Sequence, residues 1–142
     1  MTWVVDSSVA IQWFVPDRLS SVALGLLDDP QPLLAPDLIA TEVVNALWRR
    51  ERQVGVAPLD LPGAIAVLTV GAIRLRPATE LLAVAVELAR RVGRSVPECL
   101  YLALAVDADG TLVTADRRLV DRLKPTPYGR RVALLDDLAP AG

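Results

Sequence analysis

Short apolar runs alternate with helical patterns along the chain, and no other sequence feature constrains the fold as much. The runs Met1–Asp6, Leu33–Ala35, Ala72–Arg76, Thr111–Ala115 and Val132–Leu135 read as strands buried on both faces. Helical patterns occupy Ser8–Val15, Leu19–Leu27, Asp37–Val54, Leu59–Val70, Thr79–Val92, Pro97–Val106 and Arg117–Leu123. Strands alternating with helical segments predict a three-layer α/β/α protein with a central parallel sheet, whose ligands meet the carboxyl ends of the strands. No repeat or Gly/Ser linker interrupts the 142 residues, so a single domain over 1–142 is expected, long enough to bury a core. Within Thr79–Val92 the residues Leu81, Leu82, Val84, Val86, Leu88 and Val92 spread widely around the helix, as in a central core helix or, alternatively, a subunit interface. The core helix is the expectation.

The residue inventory narrows the chemistry. With no histidine and only Cys99, the chain lacks the parts for a Ser-His-Asp or Cys-His nucleophile pair and for a Cys/His zinc site. Hydrolytic chemistry would have to run on carboxylates, with a hard divalent cation. The longest uncharged stretch, Leu61–Ile73, is broken by Pro62, Gly63 and Gly71 and is shorter than the roughly 18 residues of a membrane span, so no membrane association is expected. Asp6 cuts off any apolar leader and one cysteine makes no internal disulfide, which points to a cytoplasmic protein. The net charge of −2 argues against a simple cationic nucleic-acid binder. Charge is nevertheless uneven: residues 1–71 carry eight acids and four bases, residues 72–142 nine acids and eleven bases. Lys124 is the single lysine, and the remaining bases are arginines, suited to forked phosphate contacts.

Four acids stand where folding alone gives them little to do. Asp6 closes the first strand in VVDSSVAIQWF, and Asp116 follows the strand TLVTA; each can cap the next helix, yet both fall at a strand's carboxyl end. If those strands are neighbours, the two acids converge. Glu42, with Asn45 one turn on, interrupts the apolar helix APDLIATEVVNALWRR well before its charges begin at Arg49. Glu98 follows Ser95 in SVPECLYLALAV, which fits a capping box with Pro97 in the first turn. A cap and a metal ligand are compatible roles, because the positive field at a helix start keeps the carboxylate ionised. Asp107, Asp109 and Gly110 read as a helix-to-strand turn. Crowded acids repel unless a cation compensates them, and Mg²⁺ or Mn²⁺ suits oxygen donors.

Three blocks, VVDSSVAIQWFVP, LLAPDLIATEVVNALWR and SVPECLYLALAVDADGTLVTADRRL, in this order and spacing, closely resemble the PIN-domain ribonucleases of the VapC toxin type. The resemblance covers Val4 to Leu119 and implies a PIN-like α/β/α fold, an RNA substrate, Mg²⁺ or Mn²⁺, a homodimer and inhibition by a VapB-type antitoxin. It puts the family's first acid on Asp6 with the following hydroxyl on Ser8, its helical glutamate on Glu42 beside Asn45, and its last acid on Asp116 after Thr114. The third acid departs from the family pattern, because Glu98 in Pro97-Glu98-Cys99 stands where aspartate is usual. In the implied mechanism Asp6, Glu98 and Asp116 hold the metal, Glu42 holds it or orients a water, and the metal activates the water for in-line attack on a phosphodiester. Arg117 and Arg118 are candidates to follow the RNA backbone, although a solvated helix face explains them equally well. Two other readings stay open: a non-catalytic PIN-like interaction module, whose acids receive a partner's arginines, and a receiver-type signalling domain with Asp6 as phosphoacceptor.

Overall fold

The computed structural model describes residues 1–140; the last two residues of the expected 1–142 unit lie outside them. Five strands form one sheet, β1 (Trp3–Val5), β2 (Leu33–Pro36), β3 (Ile73–Arg76), β4 (Thr111–Thr114) and β5 (Val132–Leu134), in the order β3-β2-β1-β4-β5. Every pairing is parallel, with Trp3, Val4 and Val5 opposite Thr111, Leu112 and Val113. The apolar runs therefore mark the strands to within one or two residues, because strands covered on both faces advertise themselves by composition.

Seven α-helices connect them: α1 (Ser7–Ala10), α2 (Ser20–Gly25), α3 (Leu38–Glu51), α4 (Leu61–Thr69), α5 (Leu82–Val92), α6 (Val96–Asp107) and α7 (Arg117–Leu123). The expected helices Ser8–Val15, Leu19–Leu27 and Thr79–Val92 each end or begin in a 3-10 turn, at Ile11–Trp13, Leu26–Asp28 and Ala78–Leu81. Two further 3-10 turns, Gly129–Arg131 and Leu135–Leu138, had no sequence signal strong enough to mark them. Right-handed crossovers carry the chain outward from β1 to β3 and then across to β4 and β5, so the helices before and after β3 cover opposite faces. Packing agrees: α3 lies against α1 and α4, while α6 lies across β1, β2 and β4 with α5 on its outer side.

That arrangement corrects the expectation for the helix ending at Val92. Leu81, Ala85, Leu88 and Val92 are buried, but Leu82, Val84 and Val86 face solvent. The central helix is α6, buried without a break from Cys99 to Ala105, because the sheet covers one side and α5 the other. Charge pattern marks the difference: α5 carries Glu87, Arg90 and Arg91, whereas α6 is uncharged from Cys99 to Val106.

The strand order also locates the place where ligands bind such sheets. Successive strands are laid down outward in opposite directions on either side of the β1–β4 junction, which makes the space beyond the carboxyl ends of these two strands the topological switch point. The receiver-type reading fails here, since receiver-like sheets run 2-1-3-4-5 whereas this one runs β3-β2-β1-β4-β5. Among the described residues no helix is long and apolar enough to cross a membrane.

Candidate active site

Asp6 and Asp116 leave β1 and β4 at the switch point, and each does the local task its position predicts. The Asp6 carboxylate caps α1, accepting from the Val9 amide at 3.3 Å. Asp116 Oδ1 accepts from the amides of Arg118 at 3.0 Å and Leu119 at 3.3 Å, capping α7. Because β1 and β4 pair directly, these two caps become neighbours across the sheet edge.

Two hydroxyls stitch that edge together. Ser8 Oγ donates to Asp6 Oδ1 at 2.5 Å and accepts from the Ala115 amide at 2.9 Å, which locks the first acid to the segment after β4. Thr114, fully buried, lies 3.3 Å from Ser8 Oγ, and its Oγ1 accepts from the Asp116 amide at 3.1 Å. Both residues implied by the resemblance thus support the acids, and Ser8 also lines the cavity they face. Burial pushes the Asp6 carboxyl up to about 6, against the opposing pull of Ser8, Thr114 and backbone donors.

Glu42 enters from α3 and Glu98 from the first turn of α6. Together with Asp6 and Asp116 they line one cavity of about 240 Å³, shared with Ser7, Ser8, Tyr101 and Leu119. The Tyr101 hydroxyl donates to Glu42 Oε1. Burial and that carboxylate bond keep the phenol protonated far above its ordinary range. Ser95 caps α6 by accepting from the Glu98 amide at 3.3 Å, half of the expected capping box. The reciprocal half is absent: Glu98 Oε2 takes the Arg94 Nε at 2.7 Å, and Arg94 Nη2 reaches Asp116 Oδ2 at 3.3 Å. A guanidinium fork thus spans two of the four acids.

Asn45 is not among these residues. One helical turn leaves it rotated from Glu42, and it is exposed in a neighbouring groove with Ala40, Thr41, Val44, Trp48 and Ile65. Arg117 and Arg118 are exposed in the first turn of α7, beside Asp116. Sequence reasoning passed over Tyr101 and Arg94. Tyr101 lies one turn from Glu98 and carries a polar tip in an otherwise apolar stretch, and Arg94 precedes Glu98 at the i,i+4 spacing of a helix ion pair; either spacing was a usable signal.

The donor set suits a hard divalent ion: carboxylate and hydroxyl oxygens, no imidazole, and a buried acid whose pKa is raised by desolvation. As the side chains stand, no group of three acids among the described residues is close enough to clasp one ion. The acids share a cavity with Arg94 drawn between Glu98 and Asp116.

A parallel α/β/α sheet with acids gathered at its switch point defines the class, and the PIN domain family model matches residues 3–124, so the chain belongs to the PIN domain family. Among its relatives is Ribonuclease VapC3 of Pyrobaculum aerophilum, 32% identical over 124 residues, which span 86% of this chain and 95% of that protein. The resemblance read from the three sequence blocks is borne out.

Proposed function

We propose that the protein is a metal-dependent endoribonuclease of the VapC toxin type, hydrolysing RNA phosphodiesters at the acidic cavity. One observation carries the reading: four carboxylates from four separate segments line a single cavity at the sheet's switch point. Kinship with a named ribonuclease supports the substrate class.

In this reading Asp6, Glu98 and Asp116 hold Mg²⁺ or Mn²⁺. A bound divalent ion supplies Lewis-acid stabilisation of charge on the phosphodiester and lowers the pKa of water. Glu42, tethered by Tyr101, orients the attacking water. Ser8 fixes the Asp6 carboxylate, and Thr114 fixes the backbone that presents Asp116. Arg117 and Arg118, exposed in the first turn of α7 after Asp116, would meet phosphates of the flanking RNA. The reading includes a VapB-type antitoxin as inhibitor and a homodimer, the latter supported by the exposed Leu82, Val84 and Val86 of α5.

The test is cleavage of single-stranded RNA by the purified chain with Mg²⁺ or Mn²⁺ and with EDTA, alongside Asp6→Asn. Cleavage that requires the metal and disappears in the variant supports the proposal. A wild-type protein that binds RNA and metal yet never cuts favours the interaction-module reading, for which the Arg94 contacts show that these acids accept a guanidinium.

A further inference from the structure

Arg94 stands between the left-handed Gly93, with φ of 71°, and Ser95, the N-cap of α6. Its backbone is therefore set by two helix ends, and only the side chain is free to reach the cavity. That side chain spends both arms of its fork on carboxylates from different segments, 2.7 Å from Glu98 and 3.3 Å from Asp116. The Asp116 contact falls on Oδ2, the oxygen left over after Oδ1 has capped α7. Arg94 thus occupies the one Asp116 oxygen that is not committed to backbone.

Resting on the proposal that these acids bind a divalent ion, we infer that Arg94 is a built-in counter-cation which competes with that ion, so that metal enters by displacing the guanidinium from Glu98 and Asp116. Direct ligands approach Mg²⁺ to roughly 2.0–2.1 Å, which demands that the carboxylates converge. A planar guanidinium is larger and holds its two carboxylates apart, in keeping with the absence, among the described residues, of any three acids close enough to clasp an ion. Displacement is feasible because the contacts are half-open to water: side-chain exposure is 25% for Arg94, 42% for Glu98 and 39% for Asp116. Exposed pairs of this kind are weak and screened by salt, while a divalent ion brings twice the charge to the same oxygens. Arg94 is a positioning residue on this account, acting through the two acids and setting the metal concentration at which they become ligands.

The experiment measures Mn²⁺ binding to the full chain by titration calorimetry, with melting temperature followed in EDTA and in Mn²⁺, for wild type, Arg94→Gln and Arg94→Lys. The expected result is that Arg94→Gln binds Mn²⁺ at least about ten-fold tighter than wild type and shows the larger metal-induced rise in melting temperature. Arg94→Lys should fall between them, since a single ammonium cannot bridge both acids as a fork does, and it decides the matter if the glutamine variant fails to fold. Affinity equal to or weaker than wild type in both variants overturns the inference and makes Arg94 a brace for the ligands. Absence of Mn²⁺ binding in all three proteins at millimolar metal overturns the metal reading itself.

Discussion

On one side of the cavity Asp6 and Glu42 are held by the hydroxyls of Ser8 and Tyr101, whereas on the other Glu98 and Asp116 share the guanidinium of Arg94. A hydroxyl satisfies a carboxylate's lone pairs without cancelling its charge, so the first side carries its electrostatic cost in the elevated pKa of Asp6. The second side is only half neutralised, one guanidinium against two carboxylates, and by a cation that water can reach. One half of the site holds its acids with neutral hydroxyls; the other holds them with a charged fork that is partly open to water. A cation that enters gains most from the first half and meets its competitor in the second.

The largest expected effect comes from removing one charge on each side. Asp6→Asn and Asp116→Asn should each lower metal-dependent RNA cleavage by at least about 100-fold, since loss of even an outer partner of a metal ligand costs about 10–100-fold. Circular dichroism should show the fold intact. Wild-type turnover in either variant removes that acid from the site.

Next comes the pH dependence of stability, which separates the two sides. A carboxyl raised to about 6 in the fold from 3.8 in the open chain penalises the folded state fully above pH 6, and the penalty fades as pH falls towards 3.8. At 1.36 kcal/mol per pKa unit this amounts to roughly 3 kcal/mol. In EDTA, therefore, the unfolding free energy of wild type should rise relative to Asp6→Asn by an amount of that order between pH 7 and pH 4. A difference that stays flat across this range would falsify the assignment of uncompensated charge to Asp6.

Tyr101→Phe breaks the hydroxyl tether on Glu42 without altering any charge. Hydrogen bonds to charged groups contribute about 1.5–3 kcal/mol, so denaturant unfolding should show a loss in that range, accompanied by a fall in kcat with KM little changed. If KM rises instead, Glu42 serves to bind substrate rather than to orient water.

Glu98→Gln should be much gentler on the fold, under about 1 kcal/mol, because an exposed ion pair contributes little and the Ser95 cap bonds to backbone, which the substitution leaves in place. Metal affinity should nonetheless drop. Wild-type Mn²⁺ binding in this variant confines Glu98 to pairing with Arg94. Glu98→Asp then asks whether the backbone has adjusted to the longer acid: activity at or above wild type shows that the site tolerates either length.

The smallest effects belong to Arg117→Ala and Arg118→Ala on the rim. Each should raise KM for RNA a few-fold and reduce the salt dependence of binding by about one unit of slope, with kcat unchanged. An unchanged salt slope leaves them a solvated helix face.

Much of this was legible in the chain. The central strands announced themselves because burial on both faces favours short apolar runs such as Trp3–Val5 and Thr111–Thr114, and α7 begins and ends where the sequence placed it, at Arg117 and Leu123, because Asp116 caps it locally. Asp6 and Asp116 were visible as acids that follow strands and can cap the next helix, and Glu42 as a charge within an apolar helix. Asn45, expected beside Glu42, does not line the acidic cavity, because one turn along a helix still rotates a side chain enough to leave a small cavity.

By itself the sequence determined local structure: where strands and helices lie, which residues cap them, and that any catalysis must use carboxylates, since no histidine exists. Those properties depend on neighbours a few residues away, so short-range rules suffice. Tertiary structure alone decided that β1 lies beside β4, which turns two separate helix caps into facing acids. It likewise decided that α6 rather than α5 fills the interior, that Tyr101 meets Glu42, and that Arg94 divides itself between Glu98 and Asp116. Each of these contacts is chosen by the packing of segments remote in the chain, and a side chain's partners follow from which segments burial brings together.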